Sequence, residues 1–238
     1  MNRVLEIASI LGFFTSLMNT TAVFAMGEDD PLLAKVTVHQ LEWRDGKEET
    51  PFVWDLEAWI GKDLQKLWLV WEGERESGET EASEVQALYS HAVSPYWDFQ
   101  VGWRGDFEPS PDRHWLAVGF RGLAHYFIDT DLLWFIRDGG QHGFRLEAEK
   151  EVLITQKIIL VPEIEVSLHT TDDEKVGIGS GLSDIELGLR LQYAVTKRIA
   201  PYIGVNWEKS YGDTAEFARD EGEHTEDFQW LIGVHGWF

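Results

Sequence analysis

The chain contains no cysteine. Disulfides, thiolate metal centres and cysteine nucleophiles are therefore excluded. Methionine is nearly absent, with only Met1, Met18 and Met26, so a thioether-built metal site is excluded as well. No later stretch reaches the ~18 uninterrupted apolar residues that a spanning helix needs. Positive charge is scarce: 20 Lys and Arg face 42 Asp and Glu, for a net charge of −22. Such a surface repels nucleic-acid phosphates and attracts cations. There is no internal repeat and no low-complexity tract.

Apolar residues make up 44% of the chain and charged residues 26%, with 12 Trp. Abundance of both without long apolar runs implies segregation by position. The C-terminus shows it directly. Phe228, Trp230, Ile232, Val234 and Phe238 share one parity; Gln229, Leu231, Gly233, His235 and Trp237 share the other. An amphipathic terminal strand closing on an aromatic residue resembles the assembly signal of bacterial outer-membrane barrels. At the front, residues 1–25 read as a secretory signal peptide, with a buried N-terminal helix as the alternative. Arg3 supplies the basic region, Ile7–Met18 the apolar core, and Val23 and Ala25 the small residues before a cut. Residues 26–35 then form a short periplasmic segment, and 36–238 the main domain.

Period-2 alternation bounded by turn residues gives about twelve strands. They span roughly 36–43, 52–61, 64–73, 84–93, 96–107, 113–124, 127–136, 143–153, 156–169, 182–194, 198–210 and 226–238. The connections alternate between longer ones (44–51, 74–83, 108–112, 137–142, 170–181, 211–225) and short ones. Outer-membrane barrels have long extracellular loops and short periplasmic turns. The expected fold is therefore all-β: a closed antiparallel up-and-down transmembrane β-barrel of about 12 strands in the outer membrane, with both termini periplasmic. Its surroundings are outer-membrane lipid and lipopolysaccharide, which the acidic segments 72–84 and 213–227 would bridge through divalent ions. Trp59, Tyr96, Trp97, Tyr126, Phe127, Tyr193, Tyr202, Trp237 and Phe238 lie near the short turns, as a periplasmic-side aromatic girdle would. Pro162 cannot donate to a strand ladder and marks a bulge or unpaired position.

The inward parities are acidic with basic residues interleaved. Two uses are open: an ion-pair network bracing the lumen, or a cation pathway lined by Glu147, Glu149, Glu163, Glu165, Asp184 and Glu186. A turn centred on Ile154 would place Arg145 near Glu163. None of the eight histidines forms a tight metal signature, but His169 and His235 share the inward parity, so imidazole and carboxylate could meet around a metal. The candidate metal ligands are thus His169, Glu163, Glu165, Glu147, Glu149 and His235. A hydrolase would need nucleophile, base and orienter within hydrogen-bond reach. Ser167 and His169 share a face but lie ~6.5–7 Å apart along a strand, and Asp172 and Asp173 follow in a loop. The chain is expected not to be an enzyme; an outer-membrane phospholipase or protease and a passive structural barrel are the alternatives.

Ordered motifs carry a family resemblance. Leu41-Glu42-Trp43-Arg44, Trp54-Asp55, Trp59-Ile60-Gly61-Lys62-Asp63, Glu72-Gly73-Glu74 and Val85-Gln86-Ala87-Leu88-Tyr89-Ser90 resemble the first half of the copper resistance protein B family. So do Tyr96–Arg104, Gly119–Ala124, Leu160–Glu163, Gly177–Leu182, Gly188–Tyr193 and Ala200–Val205 further on. The resemblance covers 36–238. It implies an outer-membrane barrel that binds copper ions or passes them out of the periplasm, beside a periplasmic multicopper oxidase. Family members often carry a Met- and His-rich N-terminal extension; here residues 26–34 hold one Met and no His. His125 stands where the family's Gly-Leu-Ala-Pro-Tyr motif has proline.

Overall fold

The computed structural model describes residues 30–47 and 50–238. The signal-peptide reading of 1–25 lies outside these residues. The strands are β1 (Leu33–Asp45), β2 (Phe52–Lys62), β3 (Gln65–Glu76), β4 (Glu79–Ala92), β5 (Trp97–Glu108), β6 (Arg113–Ala124) and β7 (Ile128–Arg137). They continue with β8 (Gln141–Glu149), β9 (Val152–Leu153), β10 (Ile158–His169), β11 (Gly181–Tyr193), β12 (Ile199–Ser210) and β13 (Glu226–Trp237). One α-helix, α1 (Gly212–Glu221), lies between β12 and β13.

Each strand pairs antiparallel with its neighbours, and β1 pairs with both β2 and β13, so the sheet closes on itself. β9 continues the line of β8; both pair with β10, and together they form one stave of a twelve-staved barrel. Closure leaves no sheet edge to pair with another chain. The gap between β8 and β9 lies opposite Pro162, whose carbonyl accepts from Lys150 N at 3.1 Å. The proline's missing N–H thus faces an interruption in the ladder, as its chemistry requires.

The barrel is apolar outside and polar inside. Leu67, Leu69, Leu116, Leu132, Leu187, Leu189, Ile203, Trp230 and Ile232 are exposed, whereas Glu42, Ser90, Gln100, Ser183 and Asn206 are fully buried. Water would penalise such a surface; a lipid acyl phase would not. Among the described residues no helix is long and apolar enough to cross a membrane; the exposed apolar side chains named above are carried by strands. Replacing Leu189, outward on β11, with Arg should destabilise the barrel by about 2–4 kcal/mol if the site lies near the bilayer midplane. Urea unfolding in lipid vesicles measures this. An unchanged midpoint would contradict a lipid-facing position.

Three expectations need correction. The segment 74–83 is not a long loop: β3 and β4 run on to a hairpin whose two connecting residues, Ser77 and Gly78, have positive φ. A tight hairpin needs this geometry, and the charges around it belong to paired strand positions. The connection after β12 is not loop throughout but holds α1, which ends at Gly222 in the left-handed conformation. This is the usual role of a glycine just past a helix. Two residues assigned to the aromatic girdle point inward instead: Tyr202 is buried in the lumen, and Trp59 packs against the lumenal Trp68 with ring centres 5.9 Å apart. Tyr96, Tyr126, Phe127, Tyr193, Trp237 and Phe238 are exposed at the short-turn end. Toward the opposite end of the outer surface, Trp43, Phe52, Trp54 and Trp71 form a chain of ring contacts between 5.0 and 6.3 Å across β1, β2 and β3.

Candidate metal-ion lumen

The lumen is narrowed from two sides. On β3, β4, β6 and β7 the inward positions carry Trp68, Leu88, Trp115, Ala117, Leu133 and Phe135, an apolar ridge. Arg104 lies 4.3 Å over the Phe135 ring and Arg121 4.3 Å over the Trp68 ring, so guanidinium planes cap this ridge.

Across the middle runs a belt of ion pairs. Glu42 on β1 accepts from Arg44 Nε at 2.8 Å, Arg190 Nε and Nη2 at 3.0 Å, and Tyr202 Oη at 2.8 Å. Arg190 also grips Glu163, to which Gln40 donates at 3.1 Å. Arg44 reaches Glu186 at 2.9 Å. On the other side Arg145 of β8 crosses to Glu72 at 3.0 Å and Glu84 at 2.8 Å, on β3 and β4, and lies 3.3 Å from Glu165. Arg104 joins Glu84 to Asp106 at 2.8 and 2.7 Å.

The belt separates two cavities. The one at the short-turn end is about 1090 Å³, lined by ten carboxylates against six basic side chains, with His39 and His235. The other is about 740 Å³ and opens toward the longer connections; nine carboxylates line it against three basic side chains, with His169 and His224. Cations are favoured in both.

The six predicted ligands are divided between these spaces. Glu163 and Glu149 face each other across β10 and β8, as do Glu165 and Glu147. These four carboxylates form one ladder, but Glu163 is held by Arg190 and Glu165 by Arg145, with Glu147 3.6 Å from Arg145. His169 lines the cavity nearer the long connections and His235 the opposite one. Among the described residues no three His, Asp or Glu side chains form a preformed metal-binding group. Arg145 does not oppose Glu163 as the turn at Ile154 implied; it opposes Ser167, because the turn centres two residues further on, at Gln156, and the register stays the same across the break at Lys150–Glu151.

Sequence reasoning missed two supporting groups. His169 Nδ1 lies 2.8 Å from Ser183 Oγ, which donates to Gly179 O at 3.2 Å. Nδ1–H therefore donates to Ser183, which leaves the Nε2 lone pair of His169 available, the arrangement that second-shell partners give to metal-binding imidazoles. Ser167 turns away from His169 and donates to Glu165 at 3.3 Å. His39 is the second group, brought inward beside His235 with ring centres 6.0 Å apart.

A closed barrel with a lipid-compatible outside and an ion-paired polar lumen is a porin-type β-barrel. The NanC porin shares this fold with a TM-score of 0.54 at 15% identity, covering 86% of this chain and 99% of that one. The KdgM porin matches with a TM-score of 0.52 at 14% identity, again over 86% and 99%. The sequence is more specific. A family model described as "Copper resistance protein B precursor (CopB)" matches residues 32–238. Copper resistance protein B of Escherichia coli is 46% identical over 203 residues, 85% of this chain and 69% of that protein. A copper resistance protein B homolog of Pseudomonas syringae pv. tomato is 42% identical over 210 residues, 88% and 71% of the two chains. This chain belongs to the copper resistance protein B family.

Proposed function

We propose that copper ions are the cargo of this lumen, bound there and passed out of the periplasm across the outer membrane. In this reading the short turns and both termini face the periplasm, and the longer connections face the exterior. The carrying observation is the donor chemistry of the two cavities. Both have carboxylates in excess and both contain imidazole. Residues 30–238 contain no sulfur side chain at all. Imidazole and carboxylate suit Cu(II); the thioethers and thiolates that favour Cu(I) are missing from this domain. A periplasmic multicopper oxidase is the class of partner that would supply copper in that oxidised form. The carboxylate ladder would attract the ion, and its partial neutralisation by Arg145 and Arg190 keeps binding weak enough for release. His169, with its tautomer set by Ser183, is the candidate ligand on the outward side.

The test is copper tolerance in a deletion strain. Deletion should lower the tolerated copper concentration, and the wild-type gene should restore it. Glu147→Gln with Glu149→Gln should restore it only in part, because both carboxylates line the inner cavity. Normal tolerance in the deletion strain would defeat the copper reading; full rescue by the paired variant would defeat the ladder's role.

A further inference from the structure

We infer that the short-turn rim of the barrel carries a docking arc for an acidic segment of a periplasmic protein. This rests on the orientation given above, in which that rim faces the periplasm, and needs no copper. It starts from where positive charge is left over. The chain has 42 Asp and Glu against 20 Lys and Arg, and Arg44, Arg104, Arg121, Arg145 and Arg190 in the lumen all hold carboxylate partners. Lys35, Lys157, Lys197 and Arg198 have no carboxylate within ion-pairing distance among the described residues. Lys157, Lys197 and Arg198 are exposed, and Lys35 is half-buried.

Topology draws these four together. Strands β10, β11, β12, β13 and β1 are consecutive neighbours in the sheet. Lys157 sits in the turn before β10, Lys197 and Arg198 in the turn between β11 and β12, and Lys35 on β1. Backbone bonds tie one to the next: Ala194 N donates to Lys157 O at 2.8 Å, Trp237 N to Arg198 O at 3.0 Å, and Val36 N to Phe238 O at 2.9 Å. Both turns are stapled by a threonine two residues before the base. Thr155 Oγ1 accepts from Lys157 N at 3.2 Å and Ile158 N at 2.9 Å; Thr196 Oγ1 accepts from Arg198 N at 3.1 Å and Ile199 N at 3.0 Å. Lys35 and Arg198 stand 5.8 and 5.5 Å from the Trp237 ring centre, and Lys157 5.8 Å from that of Tyr193. The charges are therefore held in place before anything binds.

Their placement selects the partner. All four line the mouth of the cavity at the short-turn end rather than the lipid-facing surface, so lipid headgroups are not what they meet. Five strands about 4.8 Å apart span roughly 19 Å. An extended chain advances about 3.3–3.6 Å per residue, so about six residues cover the arc. A single small anion would meet only one or two of its charges. The other side of the mouth carries Asp98, Asp129 and Asp131 on β5 and β7. Like charge there confines an acidic segment to the basic side and leaves the carboxylate side open to cations.

Purified barrel in detergent, titrated with a fluorescently labelled hexaglutamate peptide, tests this. Wild type should bind the peptide, and binding should weaken steeply as salt is raised. Lys157→Gln with Arg198→Gln should weaken it about tenfold, the loss of two exposed ion pairs at the upper end of their strength. Lys157→Glu with Arg198→Glu should abolish it. Lys47→Gln with Arg219→Gln, at the opposite rim, should leave it unchanged, and heat-modifiable gel mobility confirms that each variant is folded. Equal binding by wild type and the charge-reversed variant would overturn the arc. So would full displacement of the peptide by equimolar inorganic phosphate, or a charge reversal that alters only association with phosphatidylglycerol vesicles. Sidedness is read separately. The chain has no cysteine, so Lys197→Cys offers a single thiol. A membrane-impermeant maleimide should label it only once the outer membrane is opened; labelling in intact cells would overturn the periplasmic partner even where the peptide binds. Neither readout contains copper, so both stand apart from the tolerance assay.

Discussion

Replacing Glu42 with Ala should destabilise the folded barrel by about 3–5 kcal/mol, the range for breaking a buried ion pair from one side. Glu42 is wholly inaccessible, and its two oxygens accept from Arg44, Arg190 and the Tyr202 hydroxyl. Removing the carboxylate takes an acceptor from two guanidinium groups and a phenol that are themselves buried. Arg44 retains Glu186 and Arg190 retains Glu163, so the loss falls short of two isolated buried charges. Glu42→Gln keeps the shape and one acceptor and should cost less. Removing both partners together, Glu42→Leu with Arg190→Leu, should destabilise by less than the two single changes added, because the pair's own desolvation cost disappears with it. Urea unfolding of the four proteins in one lipid measures this coupling. Additive losses would show that Glu42 and Arg190 do not act as a unit.

The barrel was legible in the sequence because each strand separates two solvents. In β10, β11 and β13 one parity meets lipid and the other a polar lumen, and alternation is clean. Where both faces are apolar, the signal fades. Leu132–Ile136 on β7 runs without a polar break because Leu133 and Phe135 join the inner ridge while Leu132 and Trp134 face outward. Charge misled at 74–83, since acidic residues on the lumenal face of a long hairpin look like a solvated loop.

The site was harder to read because its key members sit on bulges. His39 interrupts the pairing of β1 with β2, and Ser183 is the residue skipped where Ser167 pairs with Asp184 and Leu168 with Leu182. A bulge breaks strict alternation, so parity counted along the sequence assigns such residues to the wrong face or to none. Glu42 lies just beyond the first bulge, where strict alternation along β1 is lost, although it anchors the central belt. Tyr202 looked like an interfacial aromatic because its phenol and ring fit both places; only the carboxylate opposite it decides.

Replacing Arg145 with Ala should widen the lumen and raise its preference for cations. This guanidinium is the principal tie between the β8–β10 wall and the β3–β4 wall, through Glu72 at 3.0 Å and Glu84 at 2.8 Å. It lies on the border of the two cavities: Arg145 lines the one toward the longer connections and Glu72 the one at the short-turn end. It is also one positive charge among four carboxylates, with Glu147 and Glu165 at 3.6 and 3.3 Å. Without it, Glu84 keeps Arg104, and the remaining carboxylates present uncompensated charge to whatever enters. The strand ladders do not depend on this side chain, so the barrel should still fold and remain heat-modifiable. Single-channel recording in planar bilayers should then give a conductance several-fold above wild type, and the reversal potential in a salt gradient should move toward that of the cation. Arg145→Lys, which keeps the charge but loses the fork that spans two carboxylates, should raise conductance less and leave selectivity near wild type. If Arg145→Ala left both conductance and reversal potential unchanged, the belt would not be the constriction, and ions would have to pass by another part of the lumen.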